Sequence, residues 1–211
     1  SDFEMRLYTP NGSNGKLVIF HGGHRGITSD RHPLIERFLG EGYAVLDVAM
    51  PMAGFNNNRV YHPPSGSYHE DIANLQQPMR FFVEQVAVGL NYLTSVRGFT
   101  DVYMVGISGG GWTTVVYAAI DPRITASYSV AGSYPELIRE QTAEPVDFEQ
   151  VYPELYQHAS YLDLYLLGAA GRRQLLVYNV FDDCCWGGTY SNAFRDASHT
   201  QAARLGGSLD V

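Results

Sequence analysis

The residues best placed to do chemistry stand at Gly106-Ile107-Ser108-Gly109-Gly110, a G-x-S-x-G pattern. An apolar, β-favouring run, Val102 to Ile107, leads into it. Trp112 to Ile120 leads out with a helical pattern and stops at Asp121-Pro122. A serine at such a strand-to-helix turn projects its hydroxyl from the strand end, a nucleophile elbow. The amide of Gly109 and the positive end of the new helix then face whatever Ser108 attacks. The competing reading is a plain βα turn, with glycines for close packing and Ser108 as a helix N-cap.

Two further segments carry chemistry. His21-Gly22-Gly23-His24 follows the apolar run Lys16 to Phe20. Asp182-Asp183 follows the run Leu175 to Tyr178. His199 is the only histidine downstream of these acids, in a stretch with a helical pattern, where a surface role suits it. His32, His62, His69 and His158 read as loop or surface residues. No H-x-x-x-H or paired-carboxylate spacing suggests a metal, so neither metal nor cofactor is expected. Cys184 and Cys185 are adjacent, and neighbours rarely bridge each other, so they read as packing residues beneath the acid loop.

The elements that must position these groups alternate along the chain. Strands are expected at Phe3–Tyr8, Lys16–Phe20, Tyr43–Met50, Asp101–Ile107, Arg123–Ala131, Leu175–Tyr178 and from Gly207 onward. Helices are expected at Pro33–Leu39, Pro78–Ser95, Trp112–Ile120, Ala159–Gly168 and Ser191–Leu205. Within Pro78–Ser95, Phe81, Phe82, Val86, Leu90 and Leu93 recur at helical spacing and should face the sheet. Such alternation predicts one α/β domain over residues 1–211, a mostly parallel twisted sheet with helices on both faces. Loop or cap insertions are expected at about 51–77 and 133–157, walling a substrate pocket. Sites in such sheets lie at the carboxyl ends of the strands, and all three chemical segments fall there.

Composition narrows the partners. Hydrophobic residues make up 45% and charged residues 17% of 211, a globular balance with enough chain for a sizeable core. Net charge is −8 and Lys16 is the only lysine, which argues against nucleic acid and anionic membranes. No apolar run is long enough to span a bilayer.

These segments together resemble the α/β-hydrolase superfamily, from Lys16 to about Val211, nearest its serine esterase and peptidase-like branch. His21-Gly22-Gly23 resembles the oxyanion loop of esterases, Ser108 the nucleophile, and Asp182 the acid of the triad, in the superfamily's chain order. The resemblance implies a strained serine hydroxyl activated by a histidine, with an oxyanion held by two amides. One amide is that of Gly109; the other comes from the Gly22–His24 loop, Gly22 or Gly23 being the expected donors. Asp183 is the alternate acid and His199 the alternate base. The superfamily's histidine lies in the loop after the last strand, here beginning at Ser208, so it is expected from a missing C-terminal segment or a second chain. The implied activity is cleavage of a small-molecule carboxylic ester through an acyl-enzyme. The alternatives are a peptidase or amidase of the same fold and a non-catalytic, hydrolase-like binding protein.

Overall fold

The computed structural model describes residues 3–24, 32–56, 69–142 and 147–211. In chain order the elements are β1 (Met5–Tyr8), β2 (Lys16–His21), α1 (Pro33–Gly40), β3 (Ala44–Val48), α2 (Glu70–Ala73), α3 (Arg80–Ser95), β4 (Asp101–Ile107), α4 (Gly109–Ile120) and β5 (Ile124–Val130). Then follow α5 (Glu136–Thr142), α6 (Pro153–Tyr156), α7 (Tyr161–Ala169), β6 (Arg173–Val177), α8 (Asn192–Arg204) and β7 (Ser208–Asp210). Single 3-10 turns at Gly54–Asn56 and Phe148–Gln150 fall in the two expected insertions. His62 and the rest of residues 57–68 of the first insertion lie outside the described residues.

The strands form one sheet in the order β1-β3-β2-β4-β5-β6-β7. β1 runs antiparallel to β3, and every other pair is parallel. The expected mostly parallel α/β sheet is therefore present, with β4 at its centre. Both faces are covered, because alternate residues of a strand point to opposite sides. Leu17 and Ile19 of β2 pack with Val86, Leu90 and Leu93 of α3. Val18 and Phe20 pack with Ile35 of α1 on the other face. This two-sided burial explains the continuous apolar reading of β2.

Four helix starts differ from expectation, α7 beginning two residues later at Tyr161 and α8 one later at Asn192. α3 begins at Arg80, two residues beyond Pro78, and Phe81 is only half-buried, edge-on to Phe3. α4 begins at Gly109, three residues before Trp112. Glycine is a poor helix former, but a side chain at Gly110 would run into the carbonyl oxygens of His21 and Gly22. Close approach of the first turn of α4 to the end of β2 therefore overrides propensity.

The described structure contains a groove of about 570 Å³ between β1 and α3, lined by Phe3, Met5, Arg80 and Phe81 among others. None of its lining residues belongs to the elbow or to the loop after β2.

Candidate functional site

Ser108 sits between β4 and α4 with φ 56° and ψ −125°. A non-glycine residue in this region is strained, by roughly 1–3 kcal/mol, and persists only where the surroundings fix it. They do so from both sides. The Ser108 amide donates to the Val130 carbonyl at 2.8 Å, and the Ser108 carbonyl accepts from the Trp112 amide at 3.0 Å. Gly106 leaves room for the bend, since a Cβ there would collide with the Gly110 carbonyl and the Thr114 hydroxyl. The Ser108 side chain makes no capping hydrogen bond to α4. The Ser108 side chain therefore does not cap the helix, and its backbone is strained.

The loop after β2 lies against the elbow. A Cβ built on Gly23 would sit 2.8 Å from Ser108 Cβ and 3.2 Å from Ser108 Oγ. Gly22 behaves differently from expectation. Its amide donates to the Val48 carbonyl of β3 at 3.2 Å. β3 and β4 flank β2 on opposite sides, so the Gly22 N–H is directed away from Ser108. Gly22, one of the two expected loop donors, is thus engaged in closing the sheet, while Gly23 is the one packed against Ser108. His21 is fully buried at the end of β2, its Nδ1–H donating to the Gly22 carbonyl at 2.9 Å. Burial pushes its pKa down to about 4, so the ring is neutral at physiological pH.

The carboxyl ends of β4, β5 and β6 are latched together: Ser108 donates to Val130, and the Ala131 amide donates to the Val177 carbonyl at 2.8 Å. The loop after β6 carries Asp182, two strands from the elbow. Asp182 Oδ1 accepts from the amides of both Cys184 and Cys185 at 3.0 Å. The turn folds the cysteines onto one carboxylate, and their sulfurs are bonded as a vicinal disulfide. This overturns the expectation of two unbridged packing residues; Cys184 is exposed and Cys185 half-buried. Asp183 is exposed. His199 is exposed on α8, with Nδ1 3.3 Å from the Leu209 carbonyl and 3.6 Å from Asp210. β7 is three strands from β4, or about 14 Å at the usual strand spacing.

A second group of titratable side chains assembles beside the elbow, and sequence reasoning missed it. His69, expected at the surface, is completely buried together with Glu149. His69 Nδ1 is 2.9 Å from Glu149 Oε1. His24 Nε2 is 3.2 Å from Asp147 Oδ2, 3.5 Å from Glu149 Oε1 and 3.4 Å from His69 Nδ1. The His24 ring lies over Gly109, whose Cβ would meet His24 Nδ1 at 2.9 Å. Burial opposes the charged form of His24, but the Glu149 hydrogen bond and the charges of Asp147 and Glu149 outweigh it and raise its pKa. Burial likewise opposes the charge on Glu149, and the bonds from His24 and His69 outweigh it and lower its pKa. Burial raises Asp147, although the His24 charge opposes that and the Glu149 charge adds to it. The four residues come from three distant parts of the chain. Only Asp147-Phe148-Glu149 gives a local signal, which is too short to distinguish from a solvated turn.

No protein-family model matches the chain, and no curated protein matches it. Solved structures do. The Est1E esterase of Butyrivibrio proteoclasticus with ferulic acid bound superposes with a TM-score of 0.63 at 18% identity, over 94% of this chain and 81% of that one. An acetyl xylan esterase from Paenibacillus sp. R4 gives 0.62 at 18% identity, over 99% and 72%. The acylaminoacyl peptidase of Pyrococcus horikoshii gives 0.65 at 15% identity, over 99% of this chain but only 34% of that one. These likenesses show that the chain shares its fold with these esterases and this peptidase.

Proposed function

We propose that this α/β-hydrolase-fold chain is a serine hydrolase that cleaves a small carboxylic ester through an acyl-enzyme on Ser108. The observation that carries the reading is the strained Ser108 backbone, at φ 56°, with its side chain unused by the helix and Gly23 packed against it. Strain of this kind is retained where a group must be held ready for reaction.

In this reading Ser108 Oγ attacks the ester carbonyl and gives its proton to a histidine base. The negative oxygen of the tetrahedral intermediate accepts from the Gly109 and Gly23 amides, at the N-terminus of α4. Collapse expels the alcohol, which takes the proton back from the histidine. Water then repeats the sequence and frees the acid. Asp182 orients the base as the acid of the triad, from the loop after β6. For the base, this reading takes the histidine that the superfamily carries in the loop after the last strand, because His199 is held against β7, three strands from β4. An ester is preferred because two of the solved structures that share this fold are esterases, one of them with ferulic acid bound.

The test is turnover of p-nitrophenyl acetate by the full chain and its Ser108→Ala variant. Measurable hydrolysis that disappears in the variant supports the reading. Hydrolysis that persists unchanged overturns it.

A further inference from the structure

We propose that His24, His69, Asp147 and Glu149 form a binding site for a divalent transition metal, zinc being the ion that best suits them, placed behind the candidate nucleophile. The proposal does not depend on the chemistry assigned to Ser108. It stands on the donor set, its spacing, and one tautomer.

Two imidazole nitrogens and two carboxylate oxygens make a donor set typical of zinc. The ligand atoms of His24, His69 and Asp147 all lie within 4.8 Å of one another. Four of the six separations among the four residues are 2.9, 3.2, 3.4 and 3.5 Å. Ligands bonded to zinc at about 2.0–2.1 Å in a tetrahedron stand about 3.3 Å apart. These four edges bracket that value; His24, His69 and Asp147 form the compact part of the group, and Glu149 would have to swing in as the fourth ligand.

The tautomer of His69 points the same way. Its Nε2 is 3.1 Å from the Pro51 carbonyl, which can only accept, so Nε2 carries the proton. Its Nδ1 lies 2.9 Å from Glu149 Oε1, so an ion bound by both would sit where ring and carboxylate already meet. A ring N–H held by a backbone carbonyl is also the usual outer-shell support of a metal-bound histidine. Glu149 adds a further signal: it is fully buried, and its Oε2 has no hydrogen-bond partner among the described residues. A buried carboxylate oxygen left unpaired is costly, and a bound cation would offset the cost.

Four protein ligands leave no open position, which marks a structural site and not a metal-activated water. The ion would tie the loop after β2 to the start of α2 and to the Phe148–Gln150 turn. Because the His24 ring lies over Gly109, this clamp would hold the wall of the candidate oxyanion site.

The experiment is zinc binding by the full chain, stripped with a chelator and titrated, alongside Glu149→Gln and His69→Gln. The readouts are bound metal per chain by elemental analysis, and the visible ligand-field spectrum of a cobalt-substituted sample. One equivalent of zinc, tetrahedral cobalt bands, and at least a tenfold loss of affinity in either variant are expected. Binding below a tenth of an equivalent, or variants that bind as the parent does, overturns the site and leaves a plain His69–Glu149 hydrogen bond. Should a variant fail to fold, the parent alone decides. Its melting temperature must rise when zinc is added to the stripped protein, and no rise contradicts the proposal. Ser108 reactivity is read separately, so failure of the metal site and failure of the hydrolase reading are distinguishable.

Discussion

Gly23→Ala tests the geometry of the candidate site with a single methyl group. The new Cβ would stand 2.8 Å from Ser108 Cβ, 2.9 Å from the Ile107 carbonyl oxygen and 3.2 Å from Ser108 Oγ. Carbon atoms rest at about 3.5–4.0 Å, so relief requires a shift of roughly 0.7 Å or more. Ser108 and Ile107 resist it, because β4 is central in the sheet and the Ser108 amide is bonded to Val130 at 2.8 Å. The loop after β2 must therefore move. A shift of that size takes the Gly23 amide out of hydrogen-bond range of an oxyanion. Losing one such donor raises the barrier by about 2.7–4 kcal/mol, a fall in kcat of about 10²–10³-fold. KM should change little, since the bond forms only in the transition state. Overpacking should cost about 1–3 kcal/mol of stability, leaving a folded protein. Gly40→Ala is the control, since a Cβ there meets nothing within 4 Å. The assay is steady-state ester hydrolysis with thermal melts of both variants. A folded Gly23→Ala protein with kcat within twofold of the parent would refute the placement of this loop at the reacting centre.

Two other substitutions separate roles that the structure superimposes. Asp182→Asn keeps an oxygen able to accept from the Cys184 and Cys185 amides, so a turn-capping role alone predicts unchanged kcat. The triad role predicts a loss approaching 10⁴-fold with little change in melting temperature, and kinetics with melts decide. Asp47→Asn addresses pH-dependent stability. Burial raises the Asp47 carboxyl to about 6 despite the Arg6 charge, and its Oδ1 has no hydrogen-bond partner among the described residues. The folded state thus binds the proton more tightly than the unfolded chain, so stability is lost as pH rises from about 4 to 6. Asn should abolish that fall and stabilise the protein at pH 7.5 by on the order of 2 kcal/mol, measured by denaturant unfolding. A variant no more stable than the parent there would contradict this reading.

Much of the fold was legible because its signals are local. β4 begins and ends where its apolar run does, at Asp101 and Ile107. α1 starts at Pro33, as a proline in the first turn dictates. Ser108 was legible for the same reason, since glycines at both sides and a strand before it encode the turn in five residues. What escaped depends on tertiary contact. The helical start at Gly109 requires the carbonyls of His21 and Gly22 beside it. The role of Gly22 depends on which neighbour its amide meets, and β3 takes it. The buried His24–His69–Asp147–Glu149 group has no spacing rule at all, because the loop after β2, the start of α2 and the turn before α6 converge only in the folded chain. Read from the sequence, His69 is a loop or surface residue and His24 part of the loop after β2.

The central claim is that Ser108 is a nucleophile, and covalent labelling tests it most directly. The full chain would be treated with a fluorophosphonate at neutral pH and read by intact mass and peptide mapping. The account predicts one phosphonyl group per chain, on Ser108 and on no other residue, and no labelling of Ser108→Ala. A folded protein that hydrolyses p-nitrophenyl acetate while its Ser108 stays unmodified, or label that settles on another residue, would contradict it.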